Sequence, residues 1–273
     1  MILFIENNVG FNYEIIESII INYYKIINIQ TDVSIFLSII DPKNFYVEYI
    51  TQKYPNIQFS IPSEFDFYIS CTIYDHDYDN LFKNSNKYFY ISHVITDRLK
   101  ELQNVFFLTP LANNYITTSK LPYIENKIKS SIPIYIIQGN ITSHRRYYKL
   151  LENILDNNYE HDFKIKLVGY GNLPKELEKY SEKLILKNNL NFINYHQEFL
   201  DVYCILPLIT KKTHPQYYYN KLTSSINYCI GYNLKCLIDK DLQEIYNLND
   251  VEIFNDENDI VNSFKKTLID FYK

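Results

Sequence analysis

The sequence predicts an α/β protein built from two doubly wound parallel sheets that face a cleft. Three observations carry that expectation. Short apolar runs such as 33–40 and 132–138 alternate along the chain with stretches of helical periodicity. The runs are continuously apolar rather than alternating, which suits parallel strands covered on both faces. A polar, aperiodic lapse between about 112 and 131 splits the alternation into two series of similar size, and reads as an interdomain connection.

Taken in order, "ILFIE" (2–6) is strand-like and "YEIIESIIINYYKI" (13–26) has helical spacing. "VSIFLSII" (33–40) reads as a strand, and "NFYVEYITQKY" (44–54), after Pro42, as a helix. "FDFYISCTI" (65–73), "KYFYISH" (87–93) and "NVFFLT" (104–109) are further strands. The second series begins with strand 132–138 and helix 143–157, then strand 163–169 and helix 174–188. "NFINY" (191–195) and "DVYCILPL" (201–208) read as strands and 217–231 as a helix. Strands 234–239 and 251–254 and a terminal helix 259–273 close the chain. Such βα alternation implies doubly wound sheets, whose ligands bind beyond the carboxyl ends of the strands.

Composition narrows the function classes. A chain of 273 residues is long for one domain and comfortable for two. With 47% hydrophobic and 22% charged residues it has ample core material and is not a disordered chain. The 28 tyrosines accompany many Ile, Asn and Lys residues, a bias that an AT-rich genome produces through its codons. That suits a large DNA virus or an AT-rich microbe and leaves the tyrosine count with little functional meaning. A net charge of -5 argues against a nucleic-acid binder that relies on a basic field. Cys71, Cys204, Cys229 and Cys236 show no CxxC spacing and read as free structural thiols in a reducing compartment. "MILFIENN" lacks a basic leader, and no apolar run approaches the roughly 18 residues that span a bilayer, so no transmembrane segment is expected. The expected location is cytoplasmic, or host cytoplasm if the source is viral.

Three stretches carry candidate chemistry. In "IPIYIIQGNITSHRRYYKLL" (132–151), Gly139 ends a strand and lets backbone approach a ligand, with Asn140 beside it. The amides of a following helix favour an anion, and Arg145 or Arg146 adds a fork of donors for phosphate oxygens. Adjacent helical residues point about 100° apart, so one arginine faces the ligand and the other solvent. "LVGYGN" (167–172) repeats the design at Gly169, without a dinucleotide fingerprint; a tight connection explains it equally. In "HPQYYYNKLTSSINYCIGYNLKCLID" (214–239), Lys221, Thr223, Ser224 and Ser225 supply donors without negative charge, which suits a diphosphate, and Gly231 is placed to stop the helix. Ordinary capped or solvated helices are the plainer account of each stretch taken alone.

These three stretches, in this order, resemble the C-terminal half of GT-B glycosyltransferases, close to the group 1 (GT4-like) pattern, over about residues 130–240. "IQGNITSHRRYYKLLENIL" is similar to the family's strand–Gly–x–Ile…Arg-Arg-x-Tyr…Leu-Leu segment, and "FKIKLVGYGN" to its second strand and glycine turn. "NFINYHQEFLDVYCILPLI" corresponds to the strands flanking the nucleotide-base loop, and "YNKLTSSINYCIGYNLKCLI" resembles the Asn-Lys-Leu helix behind the donor diphosphate. The resemblance implies two Rossmann-like domains: an acceptor-side domain over 1–118, a linker at 119–131, a nucleotide-sugar-binding domain over 132–258, and a terminal helix at 259–273 that crosses back to the N-terminal domain. It implies a hexosyl- or pentosyltransferase moving sugar from a nucleotide diphosphate sugar to a carbohydrate or glycoconjugate acceptor. Gly139 would approach the donor, Arg145 or Arg146 would neutralise phosphate, and Lys221 with Thr223, Ser224 and Ser225 would hold the diphosphate. Tyr195, His196 and Gln197 would frame the base.

Such enzymes need no bound metal or cofactor, so none is expected, and "DHDYD" (75–79) is read as a solvated acidic loop rather than a metal-binding DxD. Candidate bases for an acceptor hydroxyl are His93, at the end of "KYFYIS", and Asp75, His76 or Asp77. Asn7, Asn8 and Gly10, after the first strand, sit where an N-terminal half would meet donor or acceptor. Many family members carry a glutamate where this chain has His214, Ser224 or Ser225. Two alternatives follow: a catalytically silent glycan-binding or scaffold protein, and a sugar-nucleotide epimerase.

Overall fold

The structure is a computed structural model that describes residues 1–9, 13–27, 34–39, 45–116 and 127–273, with the side chains of 23–27 and 45 outside the description. The chain forms two compact units: Met1–Lys120 with Asn220–Leu222, and Leu121–Tyr219 with Thr223–Lys273.

The first unit runs β1 (Ile2–Asn7), α1 (Tyr13–Ile27), β2 (Ser34–Ile39), α2 (Phe45–Lys53), β3 (Ile57–Gln58) and β4 (Phe67–Ile73). A 3₁₀ turn (Asp75–Asn80), β5 (Tyr88–Ser92), α3 (Asp97–Lys100) and β6 (Val105–Phe107) complete it. Its strands are parallel in the order β3-β2-β1-β4-β5-β6. Leu3 and Ile5 of β1 are buried, as are Ile15, Ile16 and Ile20 of α1, the pattern of a helix laid on one sheet face.

The second unit runs β7 (Ile134–Asn140), α4 (Tyr148–Leu155), β8 (Lys164–Tyr170), a 3₁₀ turn (Lys175–Tyr180), β9 (Leu184–Asn188), α5 (Phe192–Gln197) and β10 (Cys204–Ile205). It continues through α6 (Gln216–Tyr219), α7 (Ser224–Tyr232), β11 (Lys235–Asp239), α8 (Lys240–Tyr246), β12 (Val251–Phe254) and α9 (Ile260–Tyr272). The sheet order is β12-β11-β10-β7-β8-β9, again parallel. Read from its far edge, this is the first unit's order repeated. Each sheet therefore reverses direction once, between β1 and β4 and between β7 and β10, and doubly wound sheets bind ligands beside such reversals.

Several sequence expectations are corrected. The helix expected over 143–157 begins only at Tyr148, because residues 142–145 form a turn closed by Arg145 N–H donating to the Thr142 carbonyl at 3.0 Å. The expected helix 174–188 is a 3₁₀ turn followed by β9, and the expected strand 191–195 is the helix α5, capped by Asn191. The single helix expected over 217–231 is broken at 220–223 into α6 and α7. Gly231 lies inside α7; Asn233, at φ 48°, ends it instead, since asparagine tolerates the left-handed conformation.

The terminal helix was expected to return to the N-terminal half. It packs on the second unit instead, where Phe264 and Leu268 join the core of Tyr135, Phe163 and Leu237. The Thr267 hydroxyl pairs with the Tyr135 hydroxyl at 2.7 Å, and the Thr267 carbonyl accepts from Tyr203 at 3.1 Å. Burying Phe264 and Leu268 stabilises by about 1.5–3 kcal/mol each, which keeps the helix on that sheet. All four cysteines are buried and unpaired.

Candidate functional site

The site grows from the end of β7. Ile134–Ile137 are buried and hold the strand in the sheet, and Gln138 is a buried polar residue within that apolar run. Gly139 follows at φ +98°, a conformation that favours glycine. Its partner across the ladder is Gly169, at φ +156°. A Cβ on Gly169 would lie 1.7 Å from the Gly139 carbonyl oxygen, so β7 and β8 approach this closely only with glycine there. A Cβ on Gly139 would lie 3.3 Å from Nη2 of Arg146 and 4.0 Å from Oγ of Ser224. The space above Gly139 is where an arginine and a helix start converge.

Arg146 is only 4% exposed. Its Nη2 donates to the Gln138 carbonyl and its Nη1 to the Arg145 carbonyl at 2.7 Å, while Nε is buried without a hydrogen-bond partner. Burial lowers its pKa, and the groups that act on it next are Tyr217, Tyr148, Tyr195 and Arg145, none of them a carboxylate. A buried cation without an anionic partner costs several kcal/mol, so this environment favours an incoming anion. Arg145 is half-exposed. Of the two arginines, Arg146 is the one buried beside Gly139.

Across from Arg146, α7 opens at Ser224. Thr223 stands at its N-cap, buried, with no side-chain hydrogen bond to the helix. The Ile226 amide donates to the Thr223 carbonyl at 3.1 Å, while the amides of Ser224 and Ser225 have no side-chain cap and carry the helix's positive end. Gln138 ties this start to its surroundings. Its Nε2 donates to Ser224 Oγ at 2.9 Å and Ser225 Oγ at 3.3 Å, and its Oε1 accepts from the Tyr195 hydroxyl at 2.7 Å. His214 is buried nearby with Nδ1 2.8 Å from Thr213 Oγ1; burial, then the charge of Arg146, lowers its pKa.

Gly139, Arg146, Gly169, Tyr195, Ser224 and Ser225 are thus brought together, with Thr223 behind the helix start. His196 is not available to a ligand. It is 2% exposed, its Nδ1 lies 2.7 Å from the Tyr232 hydroxyl, and burial pushes its pKa down to about 3. It supports Tyr195 from an aromatic cluster, stacking on Tyr228 at 5.8 Å, so the expectation that it frames a base is corrected. Gln197 is exposed. Asn140 shapes the turn: its Oδ1 accepts from the Thr142 amide at 3.0 Å and the Thr142 hydroxyl at 2.7 Å.

The remaining candidates belong to the first unit. Lys221 sits in the break between α6 and α7, forming a bridge with Val94 while Ile95 N–H donates to the Asn220 carbonyl at 2.7 Å. Its charge reaches His93: burial first, and Lys221 second, push the His93 pKa down to about 4. His93 Nε2 is buried without a hydrogen-bond partner. Asp75 opens the 3₁₀ turn, where its carboxylate accepts from the Thr96 hydroxyl and lies 3.9 Å from Arg98, contacts that anchor α3. "DHDYD" is therefore a structured turn rather than a loose loop. Asn8 is exposed beyond β1, and Gly10 lies outside the described residues. Among the described residues, no three His, Cys, Asp or Glu side chains cluster where they could hold a metal ion. No described helix is long and apolar enough to cross a membrane.

Sequence reasoning missed Gln138, the residue that connects Tyr195 to the start of α7. A polar side chain within "IPIYIIQGN" was the available signal, because buried polar groups are kept where they are hydrogen-bonded.

Two six-stranded parallel sheets of the same order, each a separate unit, define the GT-B glycosyltransferase fold. Solved structures resemble the chain over nearly its whole length. AviGT4, a glycosyltransferase involved in avilamycin A biosynthesis, is similar with a TM-score of 0.62 and 9% identity, covering 98% of this chain and 88% of that one. A glycosyltransferase from Rickettsia africae is similar with a TM-score of 0.54 and 11% identity, covering 98% and 89%. The Anabaena protein HepE, solved with UDP and glucose, is similar with a TM-score of 0.50 and 7% identity, covering 100% and 91%. No protein-family model and no curated relative matches the sequence.

Proposed function

We propose that the protein is a glycosyltransferase whose second unit binds a nucleotide diphosphate sugar at the end of β7 and the start of α7. The observation that carries this reading is Arg146: a buried guanidinium with an unsatisfied Nε and, among the described residues, no carboxylate in a salt bridge with it, next to Gly139 and an α7 start without a side-chain cap. A diphosphate supplies the missing negative charge and accepts from the first-turn amides and the hydroxyls of Ser224 and Ser225. The same groups stabilise the diphosphate as it leaves, when its charge is greatest. Tyr195, whose hydroxyl is held by Gln138, is the residue proposed to face the nucleoside. The HepE complex makes UDP the first nucleotide to test.

His93 is the proposed base for an acceptor hydroxyl. With its pKa held near 4 it is neutral through the physiological range, and Nε2 is unpartnered. Lys221 stays a proposed diphosphate ligand, and its contact with Val94 and its charge on His93 give it a place beside that base.

A second reading has one observation in its favour. The resemblance implies a glutamate where this chain has His214, Ser224 or Ser225, and its absence suits a protein that binds a nucleotide or glycan without transferring sugar. Thermal unfolding with UDP, GDP, ADP and TDP, followed by donor hydrolysis with the matching nucleotide sugars, tests both. Transfer requires a stabilising shift with one base and turnover of its sugar; a shift without turnover supports the silent binder. Flat curves with every nucleotide remove the transferase and favour a silent glycan binder.

A further inference from the structure

We propose that the first unit holds a site for a small organic cation, an alkyl ammonium or a guanidinium, on the face of its sheet that no helix covers between β4 and β5. The inference goes beyond the glycosyltransferase reading and does not rest on it.

Parallel neighbours in a sheet are joined by a crossover, usually an α-helix. The connections β1–β2, β2–β3 and β5–β6 carry α1, α2 and α3. The connection from β4 to β5 carries only the 3₁₀ turn Asp75–Asn80, none of whose residues is buried. Alternate residues of a strand share one face of the sheet. Phe4, Tyr68 and Tyr88 lie opposite one another across β1, β4 and β5, with Glu6, Ser70 and Tyr90 in the next row. Over these rows lies a cavity of 540 Å³, within the roughly 300–1,000 Å³ typical of small-molecule sites.

The rings narrow the choice of ligand. Ring centroids of Phe4 and Tyr68 lie 5.4 Å apart, those of Tyr68 and Tyr88 5.5 Å, and Phe82 stacks on Tyr88 at 4.2 Å. A cation over such a face is attracted by the ring quadrupole, most strongly where water is excluded. The chain's own cations use the rings around the cavity in this way. Lys87 Nζ lies 4.5 Å from the Phe65 centroid, and Lys83 Nζ and Arg98 Cζ lie 3.9 Å and 4.2 Å from that of Tyr78. Among the described residues no lysine or arginine lines the cavity itself.

Charge points the same way. Glu6 accepts the Tyr68 hydroxyl and Asp77 the Tyr74 amide at 2.8 Å, and both carboxylates retain further lone pairs. Apart from tyrosines, the remaining ionisable residue of the lining is His76, 3.6 Å from Asp77. A neutral ligand buries these carboxylates without a positive partner, and an anion meets like charge. An ammonium or guanidinium supplies the charge, donates N–H groups to the carboxylates and lies against the rings. Such a cation arrives as a free amine or as a lysine or arginine side chain of a partner protein.

Saturation-transfer NMR titrations on the full chain test this with butylamine and butylguanidine. Butanol and butyrate are their neutral and anionic counterparts, methyl glucoside is a neutral polyol, and the methylamides of Nα-acetyl-lysine and Nα-acetyl-arginine represent a partner's side chains. At least one cation is expected to bind at least about tenfold more tightly than butanol, butyrate and methyl glucoside, and to weaken as salt rises. Its affinity falls at least about threefold in Glu6→Gln and in Asp77→Asn, with the circular dichroism spectrum retained. Tighter binding of the amino-acid methylamides assigns the cation to a partner protein, and tighter binding of the free amines assigns it to a small molecule; both support the site. No binding of any cation, equal or tighter binding of butanol or methyl glucoside, or unchanged affinity in both variants overturns the proposal.

Discussion

The two units repeat one strand order, yet their strand ends carry opposite chemistry. In the second, glycines at 139 and 169 bring backbones together beside a buried, unpaired Arg146 and an open helix start. In the first, the corresponding reversal between β1 and β4 borders a cavity with an aromatic floor and two carboxylates. The shared topology decides where a ligand binds; the side chains at the reversal decide which ligand. The end of β7 carries a buried guanidinium, and the cavity of the first unit is lined by Glu6 and Asp77.

The largest expected effect breaks the second unit itself. Gly169→Ala places a Cβ against the Gly139 carbonyl at a distance no relaxation of a side chain can relieve. A loss of about 4 kcal/mol or more is expected, read as a collapse of the denaturation midpoint of the second unit or as insoluble protein. Retention of normal stability would mean that β7 and β8 do not meet as described.

Next comes Arg146→Met, which separates binding from folding. It removes charge-assisted hydrogen bonds worth about 1.5–3 kcal/mol, so diphosphate affinity falls by roughly 10- to 100-fold. Two effects oppose each other in the free protein: an uncompensated buried charge is removed, and the Gln138 and Arg145 carbonyls lose a donor, so the change in stability is smaller than the loss of binding. A variant that loses stability and keeps its affinity would assign Arg146 to the core alone. Gln138→Ala has a smaller reach: Tyr195, Ser224 and Ser225 lose their common partner, at a cost of about 1–3 kcal/mol, with nucleotide binding weakened rather than abolished. Equal binding in wild type and variant by calorimetry would show that the hub is not needed.

Per histidine and per pH unit acid supplies the smallest effect, and it touches both units. His93 and His196 are held neutral in the folded protein, at about 4 and about 3, against 6.5 when unfolded. Below pH 6.5 the unfolded chain takes up protons that the folded one does not, so stability falls as pH drops from 6.5 toward 4. Each histidine adds at most about 1.4 kcal/mol per pH unit to that slope. Urea denaturation at pH 7 and pH 5 measures it, and His196→Gln removes its share. If His93 is also the base, activity is lost only as pH falls through about 4.

Much of this was legible in the sequence where apolar runs were long. β1, β2, β4, β7, β8 and β11 were expected within two residues of their ends, because burial on both faces writes itself as unbroken Ile, Leu, Val and Phe. Short elements misled. "NFINY" has strand-like composition, yet its asparagine caps α5, and local hydrogen bonding outweighs propensity over so few residues. "HRRYY" has helical spacing, but the chain must first turn at Thr142 to bring Arg146 back over Gly139. Which arginine is buried depends on that turn, and periodicity carries no record of it. Gly139, Arg146, Gly169 and the Ser224–Ser225 start were found from residue type and order; Gln138 and the core role of His196 depend on contacts between segments distant in sequence.

The most direct test of the donor site is calorimetric titration of UDP and the other nucleoside diphosphates into the wild-type chain and into Arg146→Met, with unfolding curves of both. The account predicts saturable binding of one nucleotide to wild type and a loss of at least about tenfold in a variant that still unfolds cooperatively. Equal affinity in the two proteins, or no binding to either by any nucleotide, would contradict it.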